Sequence, residues 1–216
     1  MRNDEKLTGL LEVYPALSPL ADGLCRARDM IVDTYRRGGK IMVLGNGGSS
    51  ADADHIVGEL MKGFLLKRKM TERQRAEFRA ALGEAAEGLS ERLQRGIPAI
   101  SLTAQSAVLS AFANDVDPEL VYAQMVFGYG KPSDLVIAIS TSGNAKNAVS
   151  AVMTAKAMGI KTLGLTGEGG GRLSELCDLT LRAPERETYR VQELHLPIYH
   201  YLCASAEEEI FGEDEG

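Results

Sequence analysis

The 216-residue sequence has no tryptophan, only three cysteines and three histidines, and 6% aromatic residues. Cys25, Cys177 and Cys203 are odd in number, far apart and never in a C-x-x-C pair. That spacing indicates neither a disulfide framework nor a thiolate zinc site, and buried free thiols are expected. No apolar run approaches the ~20 residues that a membrane span requires. The first residues, MRNDEKLTGLLEVYP, lack the apolar stretch of a signal peptide, so the cytoplasm is the expected compartment. Positive charge is also in deficit: 24 Lys and Arg against 30 Asp and Glu give a net charge of -6 and a pI near 5.2. Few rings and an acidic balance argue against a nucleic-acid surface.

The length suits one large domain or two small ones, and 44% hydrophobic residues supply a sizeable core. Five short apolar runs recur: Lys40–Leu44, Pro98–Leu102, Leu135–Ile139, Lys161–Leu165 and Asp178–Leu181. Each is nearly continuous rather than alternating, the pattern of parallel strands covered on both faces. Amphipathic helical stretches lie between them, at Ser50–Lys62, Gln105–Phe112 with Pro118–Phe127, and Ala145–Met158. Further helices are expected at about Ala16–Arg37 and Glu187–Ile210. The order predicts an α/β fold, a doubly wound, Rossmann-like five-stranded parallel sheet with right-handed crossovers. Lys67–Gly96 differs in texture, dense in charge of both signs with Ala and Leu interspersed. It reads as an exposed helical hairpin inserted into a single domain spanning 1–216, or else as a disordered loop.

Two loops carry the candidate chemistry. Gly45-Asn46-Gly47-Gly48-Ser49-Ser50 joins the first strand to a helix, and Ser140-Thr141-Ser142-Gly143-Asn144 does so after the third. Backbone N–H groups at a helix N-terminus, with hydroxyls beside them, suit a phosphate or polyhydroxyl ligand. Ordinary tight turns and plain capping by Ser142 or Asn144 are the competing readings. Both loops fall at the carboxyl ends of strands, where open α/β sheets bind ligands.

His55 and Glu59 are spaced i,i+4 on the helix that follows the first loop, a spacing that taken alone is more often a surface contact than a site. Gln192 and His200, eight residues apart, share a face of the last helix, while His195 lies off it and Pro197 predicts a kink between them. Two imidazoles, a carboxylate and an amide oxygen form a set compatible with a borderline divalent metal such as Zn²⁺.

GNGGSSADADHIVGEL (Gly45–Leu60), AND (Ala113–Asp115), ISTSGN (Ile139–Asn144), LTGEGGG (Leu165–Gly171) and RVQELHLPIYH (Arg190–His200), taken in order, resemble the SIS-domain phosphoheptose isomerase family. The resemblance covers nearly the whole chain outside Lys67–Gly96. It implies a homotetramer with shared active sites that interconverts sedoheptulose 7-phosphate and D-glycero-D-manno-heptopyranose 7-phosphate with Zn²⁺. By motif position, it implies a metal site of His55, Glu59, Gln192 and His200, with Glu59 and His200 carrying the proton transfers. The sugar phosphate would be lined by Asn46, Gly47, Gly48, Ser49, Asn114, Asp115, Ser140, Thr141 and Ser142, with Glu59 and Gln192. Ala145, where the family often has a hydroxyl, Tyr189, where it often has Asp, and the charged insertion are departures. Non-catalytic adaptors and sugar-phosphate sensors share the fold, and retention of both His55 and His200 favours the enzyme.

Overall fold

The computed structural model describes residues 4–212. Strands β1 (Ile41–Leu44), β2 (Ala99–Ser101), β3 (Leu135–Ile139), β4 (Lys161–Thr166) and β5 (Leu179–Arg182) form one sheet in the order β2-β1-β3-β4-β5. All neighbours are parallel, with Ile41 opposite Leu135 and Leu135 opposite Lys161. The strands fall on the five apolar runs. Every residue of β1 and β3 is buried, because helices cover both faces.

The pleat divides the core in two. Ile41, Val43, Ile137 and Ile139 meet α2 (Ala21–Arg36), α3 (Gly48–Met61) and α10 (Thr188–Phe211) through Leu24, Ile31, Ala53, Ile56, Ile198 and Leu202. Met42, Leu44, Val136 and Ala138 meet α7 (Val121–Tyr129) and α8 (Lys146–Ala157) through Val126, Ala148 and Val152. Successive residues of β1 and β3 therefore belong to different clusters, as a period of two requires.

Helix boundaries depart from the sequence reading at predictable places. Pro15 and Pro19 turn the expected start of α2 into a 3-10 segment, Pro15–Leu20. An additional helix, α1 (Glu5–Val13), is capped by the Asp4 carboxylate, which also receives the Tyr201 hydroxyl of α10 at 2.6 Å. Packing a helix against α10 in this way is a tertiary event, invisible to local periodicity. Pro197 lies within one continuous α10. Beyond α3, the charged insertion is helical: α4 (Glu72–Leu82) starts from a Thr71–Gln74 capping box and stops at Gly83, whose φ is 60°, and α5 (Ala86–Ser90) follows. An antiparallel bridge between Lys69 and Gln94 closes its neck.

That neck is anchored by a buried ion pair. Arg68 Nε donates to Glu207 Oε1 at 2.6 Å, and both side chains are 0% exposed. Glu207 also accepts the N–H groups of Phe64, Leu65 and Leu66, and Arg68 donates to the carbonyls of Leu60 and Glu59. The end of α3 is thereby fixed to α10.

The remaining helices are α6 (Ser106–Asp115) and α9 (Gly171–Leu176). Because the chain leaves β1 toward β2 but β3 and β4 lie on the other side, the connections diverge between β1 and β3 and open a crevice at their carboxyl ends.

Candidate active site

Both predicted loops border this crevice. After β1, Gly47 takes φ 56° and caps α3 without any side-chain hydrogen bond. After β3, Ala145 stands at the N-cap of α8, again with no side-chain cap. Neither Ser142 nor Asn144 caps α8: the Asn144 side-chain Oδ1 accepts from Arg172 N on α9, and Ser142 Oγ accepts from Asn144 N. Neither helix N-terminus carries a side-chain cap, although at α3 Ser49 N and Ser50 N donate back to the Asn46 and Gly47 carbonyls; a helix N-terminus in this position favours an anion.

The loops are braced from below. Gly143, at φ 68°, lies so close to Gly170 that a β-carbon would fall 2.0 Å from its carbonyl oxygen. Across the crevice Asn46 and Asn147 exchange amide hydrogen bonds of 2.8 and 3.0 Å, and the Tyr122 hydroxyl donates to the Gly45 carbonyl at 2.6 Å. Ser49 and Ser140 are buried, whereas Asn46, Gly47, Gly48 and Ser142 are exposed. Thr141 and Ser142 also line a cavity of about 480 Å³ with Gly167, Glu168, Gly169, Arg182, Glu185 and Arg186. Asn114 and Asp115 sit at the exposed end of α6, bonded to each other at 2.9 Å, and among the described residues make no hydrogen bond to the loops.

Farther along α3, the acid–base candidates converge on α10. His55 Nε2 lies 3.3 Å from Glu59 Oε1, and the His55 and His200 rings are 5.0 Å apart at 82°. Burial pushes the Glu59 carboxyl upward, but Lys62, 2.7 Å from Oε2, and His55 more than offset this and hold it below the ordinary value. Burial, helped by His55, pushes His200 below the ordinary histidine value against the pull of Glu59. His200 Nε2 is buried without a hydrogen-bond partner. The Gln192 amide packs over the backbone of Gly48. His195, as expected, is off this face, fully buried with Nε2 3.2 Å from the Thr166 carbonyl.

Sequence reasoning missed Tyr199 and Asp52. The Tyr199 hydroxyl lies 3.0 Å from His55 Nδ1 and donates to Asp52 Oδ1 at 3.3 Å. Burial pushes the Tyr199 hydroxyl up, reinforced by Asp52, and burial pushes Asp52 up against the opposing effects of Tyr199 and His55. The available signal was position alone, since Asp52 precedes His55 by nearly one turn and Tyr199 adjoins His200.

Whether Zn²⁺ suits this place is a question of donor chemistry. His55, His200 and Glu59 supply the right ligand types, and the unpaired His200 Nε2 is a buried atom that such an ion would satisfy. Among the described residues no three His, Cys, Asp or Glu side chains close around one point. The set fits the ion by donor chemistry and by that one unpaired nitrogen, in an open arrangement.

The five-stranded parallel sheet, with Gly- and hydroxyl-rich loops at the ends of β1 and β3, is that of a sugar-isomerase, or SIS, domain protein: SIS-domain models match residues 11–95 and 101–202. A phosphoheptose isomerase of Akkermansia muciniphila is 32% identical over 96% of this chain and 96% of its own length. Two solved structures are similar: a phosphoheptose isomerase from Francisella tularensis (TM-score 0.73, 26% identity, 96% of this chain and 100% of that one) and another from Neisseria gonorrhoeae (0.72, 27%, 90% and 90%). The chain belongs to the phosphoheptose isomerase family.

Proposed function

We propose that the protein interconverts sedoheptulose 7-phosphate and D-glycero-D-manno-heptopyranose 7-phosphate through an enediol. The observation that carries this reading is the convergence of Glu59 and His200 from two helices, on a fold whose α3 and α8 begin at the ends of β1 and β3 without side-chain caps. Family membership supports it. Aldose–ketose isomerisation takes a proton from the carbon next to a carbonyl and returns one to its neighbour, so it needs a base, an acid and stabilisation of oxyanion charge.

The loops bind the phosphate, through backbone N–H groups and the hydroxyls of Ser140, Thr141 and Ser142, and so fix the far end of the sugar. Glu59, kept ionised chiefly by Lys62, takes the proton from C1 of the ketose and delivers it to C2. His200, kept neutral by burial, moves a proton between O1 and O2. Phe64, 5.5 Å from the His200 ring, helps exclude water. His55, Glu59 and His200 would hold Zn²⁺, which when bound polarises the carbonyl and stabilises enediolate charge, and so offsets the net acidity of the chain for an anionic substrate.

The enzyme works as a cytoplasmic homotetramer in this reading; exposed Phe127, Val116 and Leu65 supply apolar surface for subunit contacts. Incubating purified protein with sedoheptulose 7-phosphate and Zn²⁺ should yield the aldose. No aldose, with other C5–C7 ketose phosphates equally inert, would overturn the reading in favour of a sensor or adaptor. Chelation should abolish turnover and Zn²⁺ restore it; indifference to chelation would remove the metal from the scheme.

A further inference from the structure

We propose that Tyr199 and Asp52 are positioning residues that hold His55 with its proton on Nδ1, so that Nε2 offers a bare lone pair toward Glu59. The use of that lone pair rests on the metal-assisted reading above, while the tautomer rests on hydrogen-bond counting alone.

The Tyr199 hydroxyl has one proton and two neighbours, His55 Nδ1 at 3.0 Å and Asp52 Oδ1 at 3.3 Å. Asp52 is half-buried and, when ionised, can only accept. Its other oxygen, Oδ2, is buried with no partner. Were Tyr199 to turn its proton toward His55, the Asp52 side chain would lose its one hydrogen bond among the described residues. A carboxylate in that position is costly to leave unpaired. Tyr199 therefore donates to Asp52 and accepts from His55. A neutral imidazole has a single N–H, so Nε2 is left without a proton.

The rings leave little freedom to escape this arrangement. Tyr199 meets His55 edge-on at 5.4 Å and His200 at 5.1 Å, and the two imidazoles meet each other at 5.0 Å. The consequence is chemical. With the proton on Nδ1, Nε2 and Glu59 Oε1 are two acceptors 3.3 Å apart, and a cation rather than a ring proton is what joins them. A hydrogen-bonded partner on the far nitrogen is also how metal-binding histidines are oriented and made more basic. Asp52 and Tyr199 convert an ordinary i,i+4 His–Glu pair into half of a ligand set.

The test reads the tautomer directly, in metal-free protein, by long-range ¹H–¹⁵N correlation of the imidazole nitrogens. With three histidines in the chain, the His55 signals are identified by their loss in His55→Gln. The wild type should show His55 protonated on Nδ1 and bare on Nε2. Tyr199→Phe, which keeps the ring, and Asp52→Leu, which removes the acceptor and so frees the Tyr199 proton for His55, should each move the proton to Nε2. Zn²⁺ affinity, measured by competition with a chromophoric chelator, should fall at least roughly tenfold in Tyr199→Phe. A wild-type Nε2–H form, or a tautomer and affinity unchanged in both variants, would overturn the assignment. If either variant fails to fold, the wild-type spectrum alone still decides the tautomer. Turnover of sedoheptulose 7-phosphate is a separate measurement. Its absence beside the expected spectra would defeat the isomerase reading and leave the positioning role standing, and turnover beside an Nε2–H spectrum would do the reverse.

Discussion

Gln192 lies so close to Gly48 that a β-carbon at position 48 would fall 2.5 Å from its Nε2 and 3.0 Å from its Cδ. The contact joins the loop after β1 to α10, about 12 Å along that helix from His200 at 1.5 Å per residue. Gly48 is needed there for closeness of approach, since positive φ in this loop belongs to Gly47.

Gly48→Ala should therefore swing the Gln192 amide aside rather than distort the backbone, because the atoms it meets are the end of a flexible side chain. The expected outcome is a KM for sugar phosphate raised several-fold with an unchanged melting temperature. Gln192→Ala should do the same, and the double variant should show less than the sum of the two effects, as residues in contact do. Full additivity in steady-state kinetics would show that the two act separately.

Glu59→Gln and His200→Ala should each lower kcat by about 10² to 10⁴, the usual contribution of a positioned acid or base. Each should keep its circular dichroism and melting temperature, since Glu59 and His200 lie at the rim of the core and not within it. Wild-type turnover in either variant, followed by NMR of the sugar anomeric protons, would remove that residue from the proton transfers.

The sheet was legible because each strand is a short run buried on both sides, and such runs have few other uses in a soluble domain. The two loops were legible for the same reason, as Gly and hydroxyl clusters at strand ends. The site was legible only in part. His55 and Glu59 show their shared face through spacing, as Gln192 and His200 do, but spacing does not say what either pair meets on the facing helix. Gln192 reaches the backbone of Gly48, and His200 meets His55, one helix packing along the other. The Asp52–Tyr199 contact joins residues 147 apart, and no local pattern announces such a pairing. α1 escaped notice similarly, being held by Asp4 contacts to Arg28 and Tyr201.

His195 supplies a pH test of the fold that is independent of the chemistry. It is 0% exposed, its Nε2 lies 3.2 Å from the Thr166 carbonyl, and its Nδ1 has no partner. Burial lowers its pKa, against the Thr166 hydrogen bond that raises it. The unfolded chain, with an ordinary value near about 6.5, thus binds a proton before the folded one does. The stability His195 contributes is complete above that value and declines as pH falls toward the lowered one. Compared with His195→Leu, the wild type should be more stable at pH 8, and the gap should narrow by pH 5.5 in urea titrations. A gap that widens with acid would contradict a neutral buried imidazole.

Arg68 and Glu207 set a sharper test, of sign rather than size. Removing one partner of a buried ion pair usually costs about 3–5 kcal/mol, mostly because the other charge is left uncompensated. Both side chains here are 0% exposed, so Arg68→Met should cost that much in urea unfolding. Glu207 nevertheless accepts three backbone N–H groups, which a neutral glutamine oxygen can still serve in part. Adding Glu207→Gln to Arg68→Met should therefore recover stability, although Glu207→Gln alone destabilises the wild type. Because Arg68 also holds the carbonyls of Glu59 and Leu60, the doubly substituted protein should regain stability without regaining full turnover. Further loss of stability on the second substitution would show that the charge on Glu207, and not its pairing, is what the fold requires.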